Sequence, residues 1–441
     1  MKENDEKLME KIVSLSKRRG FIFQGSEIYG GLAGAWDYGH YGAEMLDNIK
    51  TSWWKRFVSD REDMYGLRSA VLMRSEVWEA SGHVAGFSDP MVECTKCHHR
   101  FRTDQLEDKA KCPDCAGALG ESRQFNMMFS TKVGAVEDSA STVYLRPEIA
   151  QGMFINFKNT VDAYHPKLPF GIAQIGKAFR NEITPRDFTF RSREFELMEF
   201  EYFIRGGEWS RHFEYWKAEM NAWIKEVGID ITKIHELEVS ESDRAHYSKR
   251  TVDFEFDYPF GRKELFGLAY RGNFDLSNHK AEYQDEETGE KVVPHVIEPS
   301  FGADRAFLAV LLSAYTEDEQ NGEVRAFLKL KPRIAPVICA ISPLLKNKPE
   351  LVQKAREVFG MLKKEFGNVV YDDNGNIGKR YRRQDEIGTP WCVVVDFDTV
   401  GAGENVNPDF KDMVTIRDRD SGAQERVAIS KLSDHIRERL G

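Results

Sequence analysis

Hydrophobic and polar positions along this chain follow two periods, and the densest period-two stretch runs from Phe170 to Phe203. Gly171 to Glu182 has the apolar content of a strand and ends in Arg180, Asn181 and Glu182. A polar run with Pro185, Arg186, Arg191 and Arg193 follows, and Glu194 to Phe203 then alternates aromatics with carboxylates. The pattern predicts a long antiparallel hairpin. Side chains two apart share a face, so Arg180 pairs with Glu182, and Phe195, Leu197, Glu199 and Glu201 line up on the second strand. If those faces coincide, they form a platform of guanidinium, aromatic ring and carboxylates. Such a platform suits a nucleotide, and equally describes an exposed sheet face carrying surface charge.

Around the hairpin, helical spacing predicts elements at 7–19, at 44–57 through Leu46, Ile49, Trp53 and Phe57, and at 210–228. The 44–57 stripe reads as core packing, with a subunit interface as the sharper alternative. A glycine-rich passage at 25–42 predicts turns. Strands are expected at 253–261 and 263–279, an exposed loop at 280–291, and a further strand ending in Glu298 and Ser300. That strand leads through Gly302, Ala303, Asp304 and Arg305 into an apolar helix. An arginine in the first turn opposes the helix dipole and calls for an anionic partner, a carboxylate or a ligand phosphate. After KLKPRIAP (329–336) the pattern alternates: strand 336–342, helix 349–366, strand 368–371, helix 376–387, strand 390–397, strands 412–418 and 424–429, helix 430–440. The fold class is α+β, with a body over 1–331 and a small α/β domain over 332–441.

Composition narrows the function only a little. With 441 residues, 41 % hydrophobic and 12 % aromatic, the chain can fill two or three cores. A net charge of −10 speaks against nucleic-acid binding by the whole surface and leaves room for a local basic patch. The most basic such patch is Lys379, Arg380, Arg382 and Arg383, on an expected helix whose bland reading is a solvated face. No apolar run is long enough to span a membrane, and the charged N-terminus lacks the core of a signal peptide. Six cysteines, four of them clustered, point to a reducing compartment, and a cytoplasmic location is expected.

Those four are more specific. Cys94-x2-Cys97 and Cys112-x2-Cys115, 14 residues apart, have the spacing of a closed tetrathiolate zinc site, which is structural because no coordination position stays open. His98 and His99 are spare candidates. Gly171-x4-Gly176-Lys177 imitates a P-loop, but Ala178 replaces the hydroxyl residue and the context is strand, so that reading is rejected. Glu148, after Pro147, reads from spacing alone as a helix-start glutamate.

Taken in order, RGFIFQGSEIYGGL, the two knuckles, FNMMF, LRPE-x-AQG, GIAQIGKAFRNEI, REFE-x-ME, VIEPSFGADR, NIGKRYRRQDEIGTP and VTIRDRD resemble the homodimeric type of glycyl-tRNA synthetase, a class II aminoacyl-tRNA synthetase. The resemblance implies an antiparallel catalytic sheet with flanking helices, a zinc insert at about 90–120, insertions at about 205–250 and 280–291, and a C-terminal anticodon-binding domain. It implies ATP contacts from Arg180, Asn181, Glu182, Phe190, Arg191, Ser192, Arg193, Glu194, Phe195, Glu264, Leu265, Gly302, Ala303, Asp304 and Arg305. Arg180 and Arg305 would act on the phosphates. It assigns glycine to Arg102, Glu148, Phe195, Glu196, Leu197, Met198, Glu199, Arg271, Glu298, Pro299 and Ser300. It turns the basic helix toward tRNA(Gly), and it implies Mg²⁺, structural Zn²⁺ and a homodimer. The chain departs from the family pattern at His40 and at Gly272-Asn273. Two rivals stand beside it: another class II synthetase, and a synthetase-like accessory subunit without catalysis.

Overall fold

The computed structural model describes residues 2–106, 108–134, 142–286, 288–320, 322–403 and 406–440. Its body is built on a seven-stranded sheet. In chain order the strands are β1 (Met64–Gly66), β2 (Phe170–Phe179), β3 (Glu194–Ile204), β4 (Ile234–Glu238), β5 (Arg250–Tyr258), β6 (Gly261–Gly272) and β7 (His295–Gly302). In space they run β4-β5-β6-β7-β3-β2-β1. Only the β1–β2 pair is parallel.

The expected hairpin is β2–β3, with Phe170 opposite Phe203 and Phe179 opposite Glu194. The first strand stops at Phe179, short of the expected Glu182. The Gly176-Lys177-Ala178 run lies inside β2, so no helix opens there and the P-loop stays rejected. The expected strand over 263–279 is corrected as well: β6 ends at Gly272, and Phe274–Asn278 forms a short helix. The expected loop at 280–291, of which residue 287 lies outside the described residues, carries the two-stranded pair Tyr283–Gln284 and Lys291–Val292.

One face of the sheet is covered by α1 (Lys2–Arg19), α2 (His40–Trp54), α3 (Trp209–Glu226) and α4 (Ala303–Ala314). The stripe at Leu46, Ile49, Trp53 and Phe57 is buried in this core, which is the bland reading of that helix. Trp53 meets Phe57, Phe200 and Phe301 at ring separations of 5.5 to 6.1 Å. Aromatic contacts of this kind contribute about 0.5–1.5 kcal/mol each beyond their buried area. The other face of β3 is left for polar chemistry.

The C-terminal unit is a five-stranded sheet in the order Val369–Tyr371, Cys339–Pro343, Trp391–Val395, Met413–Asp418, Gln424–Ala428. Helices Pro349–Phe366, Ile377–Ile387 and Leu432–Leu440 accompany it, each within two residues of its expected start. Arg325, on the hairpin strand Glu323–Leu328, donates to Asp385 (3.2 Å) and to the Arg419 carbonyl (2.8 Å). Arg417 grips the same Asp385 at 2.8 and 3.1 Å. Arg18 and Arg19 of α1 reach Glu386. Charge pairs thus fix the second unit against the first.

Candidate active site

The site is a property of one sheet face. Glu199 stands opposite Gln174 on β2 and Ser300 on β7, and Leu197 stands opposite Gly176 and Gly302. Phe195 follows opposite Ala178. The alternate residues Met198, Phe200 and Tyr202 turn into the helix-covered core. The face therefore runs from acids at Glu201 and Glu199 to an aromatic end at Phe195.

At the acidic end, Glu148, Glu199, Glu201, Glu298, Asp275 and Arg271 are all buried. Arg271 donates to both oxygens of Asp275 (2.8 and 2.9 Å) and to Glu298 (2.8 Å), under the Tyr247 ring at 3.7 Å. Gln151 donates to Glu148 and Asp275, both at 3.0 Å, and His279 fixes its other end at 2.8 Å. His83 Nε2 lies 3.3 Å from Glu148. Ser300 donates to Glu199, whose second oxygen has no partner in the structure. Burial, the Glu298 charge and the Glu148 charge push Glu199 up to about 8, against relief from Ser300 and Arg271. Glu298 rises to about 7, again chiefly by burial, with Glu148 and Asp275 raising it and Arg271 opposing. Burial acts on Glu148 too, but His83, Arg271 and Gln151 outweigh it and hold this carboxyl well below the usual range. The acids outnumber the cations.

The other end gathers arginines. Arg180 Nε donates to the Pro147 carbonyl at 3.1 Å, and its guanidinium sits 5.3 Å from Phe195 and 5.4 Å from Phe87. Arg305 Nη1 donates to the Glu264 carbonyl at 3.0 Å and lies 3.2 Å from the Glu264 carboxylate, the anionic partner expected for a first-turn arginine, with its guanidinium 4.5 Å from the Phe190 ring. Arg191 is half-buried, and desolvation plus Arg102, Arg186 and Arg305 pull its pKa down against the charge of Glu182. Such mutual repulsion among guanidiniums is relieved by a polyanion. Glu182, with one buried carboxylate oxygen unpartnered, supplies an acceptor beside them. A Cβ on Gly302 would make ordinary contact with the Arg305 stem, at 3.5 Å.

Beside this end lies the cysteine cluster. The ligand sulfurs of Cys94, Cys97, Cys112 and Cys115 all fall within 4.8 Å of one another. The Cys94–Cys115 and Cys97–Cys112 pairs are 3.6 Å apart. Tetrahedral zinc–thiolate bonds of about 2.3 Å require sulfurs at nearly that spacing, so the residues fit a closed zinc site. His98 and His99 turn instead to Glu93 and Asp114. The cysteine knuckle touches the loop after β2, since Thr184 Oγ1 donates to the Arg100 carbonyl at 3.1 Å.

Residues 131–315 match the family model described as tRNA synthetase class II core domain (G, H, P, S and T), and residues 338–439 match the model described as Anticodon binding domain. The chain is 47 % identical to a glycine–tRNA ligase of Clostridium acetobutylicum, over 99 % of both chains. It is 47 % identical to one of Caldanaerobacter subterraneus over 98 % of both. The chain belongs to the glycine–tRNA ligases. A Deinococcus radiodurans member, 46 % identical over 98 % of this chain and 99 % of its own, extends the same likeness. Both rivals fall to this match.

Within the glycine–tRNA ligase frame, the face brings together Glu148, Glu199, Glu298, Ser300 and Arg271 at one end, and Arg180, Glu182, Phe190, Arg191, Phe195 and Arg305 at the other. Leu197 lies between them. Other candidates are placed elsewhere. Arg102 pairs with Asp89 (2.6 Å) and Asp104 (2.8 Å), beside Arg191 rather than among the glutamates. Glu196, opposite Lys177, points off the face and pairs with Lys50 at 3.1 Å, while Met198 and Leu265 are core. Pro299 is out of step with Glu298 and Ser300 on β7. Arg193 ties the hairpin through the carbonyls of Ala33 and Glu182, and Glu194 pairs with Lys177. Asp304 accepts from Tyr38 (2.5 Å) and from the Glu196 backbone (2.7 Å), and Ala303 is core. Ser192 donates to the Thr189 carbonyl, and Asn181 hydrogen-bonds through its backbone to Met127.

The basic helix is corrected at Arg380, which is buried and donates to the carbonyls of Pro343, Asp373 and Gly375. Arg383 pairs with Asp372 at 2.7 Å. Lys379 and Arg382 are exposed and line a cleft of about 650 Å³ with Tyr381, Arg417 and Gln424. The departure at Gly272 has a local reason: its φ is +63°, and a Cβ there would lie 2.7 Å from Lys249 Cε. Sequence reasoning missed Asp275, Gln151, His83 and Tyr247 as supports. Their spacing carries no signal, because four separate segments bring them together only in the fold.

Proposed function

We propose that this site ligates glycine to tRNA(Gly) through a glycyl-adenylate. The convergence of Glu148, Glu199 and Glu298 with Ser300 beside an arginine-lined, aromatic end carries the reading. The surplus acids receive the α-ammonium, and a lining of carboxylates offers no apolar surface to any longer side chain. Phe195 stacks on adenine, Glu182 accepts from its exocyclic amine, Arg180 neutralises the α-phosphate, and Arg305 the terminal phosphate. The glycine carboxylate then attacks the α-phosphorus and pyrophosphate leaves. A tRNA 3′-terminal ribose hydroxyl next takes the glycyl group and releases AMP. Neither step needs a protein nucleophile; alignment and charge stabilisation suffice.

Asp253 and Glu264 flank Gly267, with Oδ1 and Oε1 at 3.9 and 4.0 Å from a Cβ built there. Burial, Glu264 and Glu255 push Asp253 up to about 7. Asp253 and Glu264 would hold Mg²⁺, with Glu264 also paired to Arg305 at 3.2 Å, and the ion when bound would neutralise charge on the phosphates. Structural zinc, a cytoplasmic homodimer, and tRNA contact through Lys379 and Arg382 complete the proposal. No helix among the described residues is long and apolar enough to cross a membrane. ATP–pyrophosphate exchange with each of the twenty amino acids tests the reading. Exchange with glycine alone, lost in Arg180→Ala, is expected; exchange with another amino acid only would overturn it.

A further inference from the structure

One buried acid is unused by the chemistry above. Glu201 follows Glu199 by two residues on β3, opposite Ile172, so it stands on the same face one step deeper. Its side chain is fully buried, and neither carboxylate oxygen has a hydrogen-bond partner in the structure. The charged groups facing it are Glu199 of its own strand, Glu298 of β7, Arg271 of β6 and Asp275 of the following helix. Beyond these, Glu148 acts on Glu298, His83 faces Glu148, His279 bonds Gln151, and Tyr247 covers Arg271. Arg271 directs its hydrogen bonds to Asp275 and Glu298, not to Glu201.

An ionised carboxylate with no donor, sealed among other carboxylates, costs several kcal/mol, whereas the protonated acid costs far less. We propose that Glu201 stands in the folded enzyme as a neutral carboxylic acid, a positioning residue that limits the charge of the acidic cluster so that Glu199 and Glu298 can ionise toward the substrate ammonium. Burial and the Glu298 charge act in that direction, raising the Glu201 pKa well above its ordinary value against Arg271. The functional half rests on the glycine-site reading. The proton does not.

Two readouts separate them. A native carboxyl that keeps its proton loses stability relative to the unfolded chain as pH rises above about 4.3, where the unfolded group ionises. Glu201→Gln mimics the neutral acid and removes that loss. Its melting temperature relative to wild type is therefore expected to climb steadily from about pH 5 to pH 8. Its KM for glycine in pyrophosphate exchange is expected to stay within about twofold, while Glu199→Gln raises KM by about tenfold or more. A flat or falling melting difference overturns the proton assignment. A rising difference with a tenfold KM increase overturns the positioning role and leaves the proton in place. If glycine is not the substrate, the exchange arm is silent and the melting arm still decides the proton. Should Glu201→Gln not fold, infrared spectra of the wild type at pH 7 replace it: a protonated-carboxyl band slow to exchange in deuterium oxide, and missing in Glu201→Leu, is expected. Its absence from the wild type overturns the proposal.

Discussion

The two ends of β3 handle buried charge in opposite ways. At the glutamate end Arg271 is occupied by Asp275 and Glu298, Arg146 gives its hydrogen bonds to Ser69 and the Lys177 carbonyl, and the acids outnumber the guanidiniums. Glu199 and Glu298 answer that surplus by holding protons up to about 8 and about 7. At the other end arginines cannot give up protons. Arg180 donates to the Pro147 carbonyl, and Arg305 donates to the Glu264 carbonyl and pairs with the Glu264 carboxylate at 3.2 Å, so fixed contacts hold both guanidiniums. One end is tuned by titration and the other by geometry. In the proposed reading, a zwitterion between them places its ammonium at the first and its carboxylate toward the second.

The sharpest way to break this comparison is to remove a fixed charge. Arg180→Ala is expected to lower the rate of pyrophosphate exchange by about 10²–10³-fold, the range seen when one pre-aimed transition-state donor is deleted. The KM for glycine should change little. A loss confined to glycine binding would mean that the two ends are not separate. Next in size, Glu199→Gln keeps shape but removes an acceptor of the ammonium. A charge-assisted hydrogen bond is worth about 1.5–3 kcal/mol, so KM for glycine should rise by about 10–100-fold with the ATP KM unchanged. Smaller again is the effect of the zinc knuckle on the arginine end. Chelation, followed by loss of zinc in elemental analysis, should raise the ATP KM a few-fold more than the glycine KM. The reason is that Thr184 donates to the Arg100 carbonyl of the knuckle's sheet, and the Arg102 charge acts on Arg191 and Glu182. Equal effects on both substrates would show general unfolding instead.

Much of the face was readable in advance, because it depends on one register. Period-two alternation put Leu197, Glu199 and Glu201 on one side of a strand, and β3 keeps that parity through its whole length. Arg180 and Glu182 were read as strand residues, yet β2 ends at Phe179; their position follows from a turn, so the alternation argument does not license it. Two-residue steps also explain the misplacements. Glu196, Met198 and Pro299 lie inside contiguous motif segments, but alternate residues of a strand face away from the ligand side. The supports of the acidic end were not legible. Asp275 sits on a helix turn after the β6 end, and His83 and Gln151 arrive from other elements, so only the fold joins them. Arg380 shows the same limit at a helix: a basic run reads as one surface, while a helical turn places one of its members inward.

The smallest expected effect is the pH dependence that separates a titrating end from a fixed one. Below about pH 7, Glu199 and Glu298 hold protons, and a protonated carboxyl cannot accept the ammonium as an anion. Affinity for glycine should therefore rise with pH through the interval between about 7 and about 8, and glycine binding should release protons in weakly buffered solution. The ATP KM should stay flat over the same interval, because its arginines do not titrate there. Stability should run the other way. Carboxyls whose native pKa is raised make folding less favourable as pH climbs from the unfolded value toward the native one, and Glu148, whose pKa is lowered, contributes stability that is lost only in acid. Isothermal titration of glycine in two buffers of different protonation enthalpy, between about pH 6 and pH 9, counts the protons directly. A proton count of zero across that range would show the acids already ionised in the free enzyme, and the two ends would then be alike in kind.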